Sequence, residues 1–257
     1  MINYSSIRIF NIGSDIIMKT IHHSFLSIIF SLMFIFILFV TSFEAVCYWT
    51  PDFYRNEFIK YDVTGSLYAW MGETMSLDDM CDVIDQTMIY LRGNRENLII
   101  ETNIDGQPAQ FYNDNEKSHM ADVSDLFGKC IFLRSIFILS CLAISGYLVV
   151  IAGIRGALYY ISRGYIQVCM LILLMVIGIG LLAATDFTKY FTIFHKIFFS
   201  QGNWMFDPRE SRMINMLPEG FFSDCALKIV MTFIGSVTAL LILSSAFEIR
   251  NKKYFSK

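Results

Sequence analysis

Two of the four histidines in this chain are candidates for acid–base chemistry. His119 lies in the polar segment "EKSHMADVSDLF", shortly before a long apolar stretch, and His195 lies in "FHKIFF", shortly after another. An imidazole titrates at about pH 6.5, so it can accept or donate a proton under physiological conditions. The other two, His22 and His23, begin the first apolar stretch and are interpreted as solvated residues that face lipid headgroups.

The residue types leave three roles open for His119 and His195. A single histidine of this kind is most often structural. A second role is metal binding, although the sequence has no HExxH-type cluster; the available ligands are His119, Asp122, His195, Asp207 and Glu210. The third role is acid–base catalysis on a lipid group. No GxSxG serine and no Cys/His pair with a clear third member is visible, so such catalysis would use no nucleophile of the protein.

The elements that must position these histidines are membrane helices. Apolar residues make up 55% of the 257 residues and charged residues 17%, against about a quarter in soluble domains. A stretch of about twenty apolar residues can cross a bilayer, and it does so as a helix because lipid offers no hydrogen-bond partners. We predict an α-helical membrane protein with four transmembrane helices at residues 24–47, 130–153, 165–185 and 226–248.

The first apolar stretch also resembles a signal peptide, and Met18 is an alternative start. Its apolar run is longer than the roughly 7–15 residues of a signal sequence, however, and no clean small-x-small cleavage site follows. We therefore expect a retained helix.

Basic residues in short loops predict the orientation of the helices. They occur before the first helix, between the second and third, and after the fourth; they are Arg8, Lys19, Arg155, Arg163, Arg250, Lys252, Lys253 and Lys257. Residues 1–23, a turn at 154–164 and a tail at 249–257 are accordingly predicted to be cytoplasmic. A cap at 48–129, which is acidic, and an aromatic-rich segment at 186–225 are predicted to lie outside.

Local signals predict that the cap is a small mixed α/β structure. "SLDDMCDVIDQTMIYLRG" is typical of an amphipathic helix with Ser76 as its N-cap, closed by Arg92-Gly93. "NLIIETNIDGQPAQFY" is typical of a β-hairpin that turns at Asp105-Gly106. Asn113 and Glu116 match a capping box, and the helix they begin has His119 and Asp122 on one face and continues into the second membrane helix.

The second outer segment is dense in aromatic residues, which suits an aromatic belt at the membrane surface. Asp207-Pro208 predicts a turn, and Pro218-Glu219 the first turn of a short helix. The second and third membrane helices are joined by a short turn and should be antiparallel neighbours. We therefore expect their outer ends to bring His119 and His195 into one site.

Other polar residues are predicted to lie at the same depth as the two histidines, near the outer ends of the membrane helices. The ionisable ones are Glu44, Arg134, Asp186, Lys189 and Lys228; each is typical of a helix end, and Arg134 is the most suggestive because it lies inside an apolar run. Four cysteines are outside or at the outer edge, where a disulfide can form, although isolated thiols are the favoured interpretation: Cys47, Cys81, Cys130 and Cys225.

Two longer blocks resemble the signature sequences of a known family. "EKSHMADVSDLF" (Glu116–Phe127) and "FHKIFFSQGNWMFDPRESRMINMLPEGFF" (Phe194–Phe222) resemble those of the lipoprotein intramolecular transacylases (Lit), bacterial four-helix proteins of the cytoplasmic membrane. The resemblance implies transfer of the sn-2 acyl chain of a diacylglyceryl-cysteine lipoprotein to the cysteine α-amino group, giving a lyso-form lipoprotein. It implies that His119 and His195 are the catalytic residues and that no cofactor or metal is needed.

We add more detailed expectations for the site. His119 is expected to be the base, oriented by Asp122. The expected oxyanion donors are Arg134, Asn203 and Trp204, and the expected substrate pocket is formed by Phe194, Phe198, Phe199 and Phe206. The partners are lipoprotein and membrane lipid, not nucleic acid, and the chain is expected to be a monomer. Two alternatives stay open: a metal-dependent membrane hydrolase or amidase, and a non-catalytic sensor or assembly protein.

Overall fold

The computed structural model describes residues 4–199 and 202–255. In chain order its elements are α1 (Tyr4–Trp49), α2 (Phe53–Lys60), α3 (Val63–Met71), α4 (Leu77–Leu91), β1 (Glu101–Ile104), β2 (Gln107–Gln110), α5 (Asp114–Thr185), α6 (Phe187–Phe198), α7 (Arg212–Met216) and α8 (Glu219–Phe255). Lys257, one of the basic residues behind the predicted orientation, lies outside the described residues.

The chain divides into two compact units. Of the described residues, those within Met1–Phe39, Arg134–Ile177 and Phe233–Lys257 form the helical unit, and those within Val40–Leu133 and Gly178–Thr232 form the cap unit. Helices α1, α5 and α8 contribute residues to both.

Three helices in the described part of the chain are long and apolar enough to cross a membrane, within α1, α5 and α8. Their contacts in the helical unit form a small buried core of Ile35, Tyr165, Val168, Cys169, Phe233 and Val237. Most other apolar side chains of these helices are half-buried or exposed, as they would be where the solvent is lipid.

Helix α5 is interrupted at Gly153. This residue has φ 69° and ψ 168°, a conformation that only glycine adopts readily, and helical geometry resumes after it. The predicted turn at residues 154–164 is therefore wrong as secondary structure, because those residues are helical and the change of direction is made at Gly153.

Contacts with α1 show that the two parts of α5 run in opposite directions. Before Gly153, rising residue numbers in α1 meet falling numbers in α5; after Gly153 they meet rising numbers. The contacting pairs are His22–Tyr147, Phe30–Cys141 and Phe36–Phe137 before the interruption, and His23–Tyr160 and Phe34–Tyr165 after it. Within the helical unit, the predicted opposite directions of the second and third membrane segments are confirmed.

The cap unit has its own apolar core. Its largest fully buried side chains come from α2, α3, α4, the residues flanking the hairpin, and α7; they include Phe58, Leu67, Met80, Ile100, Phe111, Tyr112 and Met216. The predicted amphipathic helix is confirmed as α4: Ser76 Oγ accepts from Asp79 N at 3.0 Å, Asp78 and Asp79 occupy the first turn, and Arg92 ends the helix. The apolar stripe of α4 faces this core.

The predicted hairpin is also confirmed. Strands β1 and β2 pair antiparallel with Ile104 opposite Gln107. Asp105 and Gly106 have φ of 53° and 76°, the left-handed pair that a two-residue hairpin turn requires. The cap unit is therefore mixed α/β, as expected.

The structure also bears on the predicted short helix after Pro218 and on the cysteines. Pro218-Glu219 does not begin a short helix, because Glu219 begins α8, which continues to Phe255. All six cysteines are free, and the sulfur atoms of Cys47 and Cys225 lie 3.8 Å apart.

Candidate active site

His119 is positioned by the start of α5. Asn113 Oδ1 accepts from Glu116 N at 2.9 Å, and Glu116 Oε2 accepts from Asn113 N at 2.7 Å, which is the capping box expected from the sequence. His119 follows three residues after Glu116 and is only 6% exposed. The capped first turn thus holds the histidine within the cap unit, ahead of the predicted membrane segment.

Glu116 has a second role that the sequence did not reveal. Its Oε1 accepts from Ser211 Oγ at 2.6 Å and from Met213 N at 2.9 Å, and the side chain is fully buried. These partners lie about a hundred positions along the chain, so no local pattern could have identified them. We call Asn113, Glu116, Ser211 and Met213 the Glu116 joint; it connects the start of α5 to the aromatic-rich segment.

His195 is the one buried residue of α6. Asp186 is the N-cap of this helix, and its side chain accepts from Lys189 N at 3.0 Å. One turn before His195, the carbonyl oxygen of Phe191 lies 2.8 Å from its Nδ1. A carbonyl only accepts hydrogen bonds, so in the neutral ring Nδ1 carries the hydrogen and Nε2 carries the lone pair.

The two imidazole rings face each other in the cap unit. Their centroids are 5.9 Å apart with an interplanar angle of 29°. The expectation that His119 and His195 share one site is confirmed as geometry.

Aromatic rings surround this pair. Phe199 lies edge-on to His119 at 5.0 Å and also contacts His195 at 5.4 Å. Phe206 contacts His119 at 5.7 Å, and Trp204 lies 4.9 Å from His195. Together with Phe194, which contacts His195 at 5.5 Å, these rings form what we call the histidine pocket.

Two phenylalanines differ from the predicted pocket. Phe198 packs on Phe194, is 52% exposed, and contacts neither histidine ring among the described contacts. Phe191 was not predicted, yet its ring lies 4.3 Å from that of His195 and its carbonyl binds the same imidazole. Its position four residues before His195 on a helix was the available signal.

Burial makes both histidines poor proton acceptors compared with a solvated imidazole. Desolvation, then the neighbouring His195, lowers the pKa of His119 to about 4, and the nearby Asp122 carboxylate opposes this to a smaller extent. Desolvation also lowers the pKa of His195, against the hydrogen bond to Phe191. Both rings are therefore neutral at pH 7.

Asp122 does not hold His119 by a hydrogen bond. Its Oδ2 accepts instead from Asn203 Nδ2 at 3.2 Å, and the same nitrogen donates to Ser118 Oγ at 3.1 Å. His119 Nδ1 is buried with no hydrogen-bond partner among the described residues. The expected orienting contact is therefore wrong, although the carboxylate acts on the pKa in the expected direction.

The other predicted polar residues have different surroundings. Glu44 accepts from Arg92 at 3.0 Å, and Lys228 donates to Glu57 at 2.5 Å, so both form ion pairs elsewhere in the cap unit. Arg134 belongs to the helical unit, and its role as an oxyanion donor stays a prediction.

The ligand set for a metal is not assembled in the described part of the chain. No group of three or more histidine, cysteine, aspartate or glutamate side chains there is close enough to hold an ion. Asp207 is engaged by Arg209, whose Nη2 donates to it at 2.6 Å, and Asp122 is engaged by Asn203.

Comparison with known proteins gives one family. A family model described as "Lipoprotein intramolecular transacylase Lit" matches residues 28–222. A search of curated proteins finds no match. The fold is shared with an in meso structure of the membrane integral lipoprotein intramolecular transacylase Lit from Bacillus cereus, at 22% identity and a TM-score of 0.68 over 91% of this chain and 98% of that one. Two structures of that protein with one histidine replaced, by arginine or by alanine, give TM-scores of 0.70 at 22% and 21% identity; they cover 95% and 93% of this chain and 99% of theirs.

Proposed function

Because the chain belongs to the lipoprotein intramolecular transacylase Lit family, we propose that it moves the sn-2 acyl chain of a diacylglyceryl-modified lipoprotein to the α-amino group of the N-terminal cysteine. The product is a lyso-form lipoprotein. The observation that carries this proposal beyond family membership is the pair of buried, neutral histidines in a pocket of aromatic rings.

The proposal includes four membrane crossings. The two parts of α5 run in opposite directions beside α1, and each is long enough to cross a bilayer. With α1 and α8 this makes four. The basic residues near the helix ends then favour cytoplasmic termini and an external cap unit.

The chemistry is an attack by the substrate's own amine. The amine nitrogen bonds to the ester carbonyl carbon, and the bond from that carbon to the glyceryl oxygen breaks. The ring closed by this attack contains the nitrogen, Cα, Cβ, sulfur, two glyceryl carbons, the ester oxygen and the acyl carbon. An eight-membered ring rarely forms in a flexible lipid, so orientation within a rigid pocket is worth on the order of 7–11 kcal/mol, more than the roughly 3–5 kcal/mol of a positioned acid–base group.

The protonation states favour a division of labour between the histidines. A neutral imidazole cannot act as an acid at pH 7 without becoming an anion, so we assign the proton transfers to one ring. His195, with Nδ1–H bonded to Phe191, offers the Nε2 lone pair: it takes the amine proton and returns it to the departing glyceryl oxygen. His119 is then free to donate a hydrogen bond to the oxyanion. This assignment reverses the one expected from Asp122.

Mass spectrometry of a synthetic diacylglyceryl lipopeptide tests the proposal. The purified chain is expected to move the sn-2 acyl group to the amine, and His119→Ala and His195→Ala are each expected to abolish transfer. His22→Ala, in the helical unit, is the matched control and should transfer at the wild-type rate. Transfer at the wild-type rate by both pocket variants would refute the site. Cells with and without the chain should differ in the lyso form of their lipoproteins.

The metal-dependent alternative has its own test. Full transfer activity in excess EDTA excludes a loosely held metal, whereas loss of activity that returns with added zinc would favour the alternative.

A further inference from the structure

Asn203 is held beside the turn of α5 that carries His119. Its Nδ2 donates to Ser118 Oγ at 3.1 Å and to Asp122 Oδ2 at 3.2 Å, and these two residues flank His119 in the helix. An ionised carboxylate only accepts hydrogen bonds, so the amide nitrogen must face Asp122 and the orientation of the Asn203 side chain is determined.

This orientation leaves two hydrogen-bond acceptors unused. Asn203 Oδ1 is buried and has no partner among the described residues. Beside it, the second carboxylate oxygen of the half-buried Asp122 receives no hydrogen bond from the described residues, but this oxygen is not enclosed. Buried polar atoms nearly always find a partner, so a buried acceptor without one, next to a candidate active site, indicates a donor that arrives with a ligand.

The charges decide which part of the substrate that donor belongs to. An amide oxygen beside a carboxylate repels an oxyanion and attracts a cationic group that carries N–H bonds. Asn203 therefore does not suit the oxyanion-donor role expected from the sequence, because both hydrogens of its Nδ2 are directed to Ser118 and Asp122.

We propose that Asn203 and Asp122 form the subsite that binds the α-amino group of the substrate's N-terminal cysteine. The inference rests on the proposed function and names the part of the site that receives the nucleophile. A free α-amine has a pKa of about 8 and is mostly an ammonium ion at neutral pH, so it supplies both the positive charge and the N–H donors that these acceptors lack.

The proton balance is consistent with this arrangement. An ammonium ion must lose one proton to solvent before its nitrogen has a lone pair. A second proton leaves the nitrogen during attack and is carried by His195 to the glyceryl oxygen, as the N–C bond forms and the C–O ester bond breaks. Acceptors that hold the remaining N–H bonds direct the new lone pair away from themselves.

The test measures binding without transfer. A lipopeptide with two ether-linked alkyl chains cannot donate an acyl group, so its dissociation constant, measured by direct binding to the purified protein in detergent, reports affinity alone. The wild-type protein is expected to bind the free-amine ether lipopeptide at least about tenfold more tightly than its N-acetylated form, since a charged hydrogen-bonded contact is lost on acetylation. Asp122→Asn is expected to lose most of this preference while retaining its bond from Asn203.

Controls separate the subsite from general damage. Asp125→Asn is the matched variant, because Asp125 is an exposed carboxylate on the same helix, paired with Lys129 at 2.5 Å; it should keep the full preference. Asn203→Ala should lose part of the preference, and it tests the subsite even where Asp122→Asn does not fold. No preference in the wild type, or a full preference in either subsite variant, overturns the inference.

The outcomes also distinguish the two proposals. Acyl transfer by the wild type without preference for the free amine leaves the proposed function standing and refutes the subsite. A preference for the free amine without any acyl transfer refutes the proposed function and leaves an ammonium-binding site.

Discussion

The Glu116 joint and the histidine pocket lie one helical turn apart and differ in whether their buried polar atoms have hydrogen-bond partners. In the joint, both carboxylate oxygens of Glu116 accept hydrogen bonds, three in all from Asn113, Ser211 and Met213. In the pocket, His119 Nδ1 is buried without a partner among the described residues, and so is Asn203 Oδ1 beside it.

This difference distinguishes a structural contact from a ligand-binding site. A buried polar atom without a partner costs about 1–3 kcal/mol, which the joint avoids and the pocket does not. Sites that bind polar ligand atoms carry such costs because the ligand supplies the missing partners. We therefore expect substitutions of polar residues in the joint to lower stability, and substitutions of polar residues in the pocket to lower the rate.

The largest effect is expected at His195. His195→Gln removes the lone pair that accepts the amine proton and should reduce acyl transfer by about 10²–10⁴-fold. The thermal unfolding midpoint should change little, because the glutamine amide N–H can replace the ring N–H that donates to the Phe191 carbonyl oxygen. A midpoint that falls sharply while the rate per folded molecule persists would contradict the assignment of His195 to binding and catalysis rather than to stability.

Phe199 and Phe198 make a paired test of the pocket wall. Phe199 is buried against both histidine rings, so Phe199→Ala should destabilise the cap unit by about 3–5 kcal/mol and also reduce transfer. Phe198→Ala, at an exposed neighbouring position, should lower the free energy of unfolding much less. Chemical unfolding of the two variants in the same detergent gives the comparison; equal losses would show that the pocket wall is misassigned.

Glu116→Gln tests the joint. One amide nitrogen would replace an oxygen that now accepts an N–H or O–H, so at least one hydrogen bond becomes a donor facing a donor, at a cost of about 1–3 kcal/mol. Glu96→Gln makes the same change at an exposed position and should be neutral. An unchanged unfolding midpoint for Glu116→Gln would mean that the joint does not hold the aromatic-rich segment to the start of α5.

The last effect, comparable in size to that of Glu116→Gln, is the dependence of stability on pH. His119 titrates at about 4 when folded and at about 6.5 when unfolded, so between these values the unfolded chain binds a proton that the folded chain does not. The free energy of unfolding therefore decreases as the pH falls from about 6.5 towards 4. Thermal midpoints of the wild type should drop more on acidification from pH 7 to pH 5 than those of His119→Gln, and a smaller drop in the wild type would show that the ring is not desolvated.

Short-range features of this fold could be predicted from the sequence because their partners lie within a few residues. The α4 N-cap at Ser76, the Asp105-Gly106 turn and the Asn113–Glu116 capping box are all of this kind. The predicted turn at 154–164 failed for a related reason: basic residues marked the loop, whereas the chain reverses at Gly153, where backbone conformation decides.

The sequence by itself determined the membrane helices and the mixed cap, since apolar length, caps and residue types act locally. It also indicated His119 and His195 as the candidate site residues. Only the tertiary structure decided which partners the polar side chains take. Asp122 lies one turn from His119 in sequence, yet it is bound by Asn203; Glu116 caps its own helix and also holds Ser211. Hydrogen bonds between distant segments depend on how those segments pack, and nothing in the spacing of residues along one helix determines that.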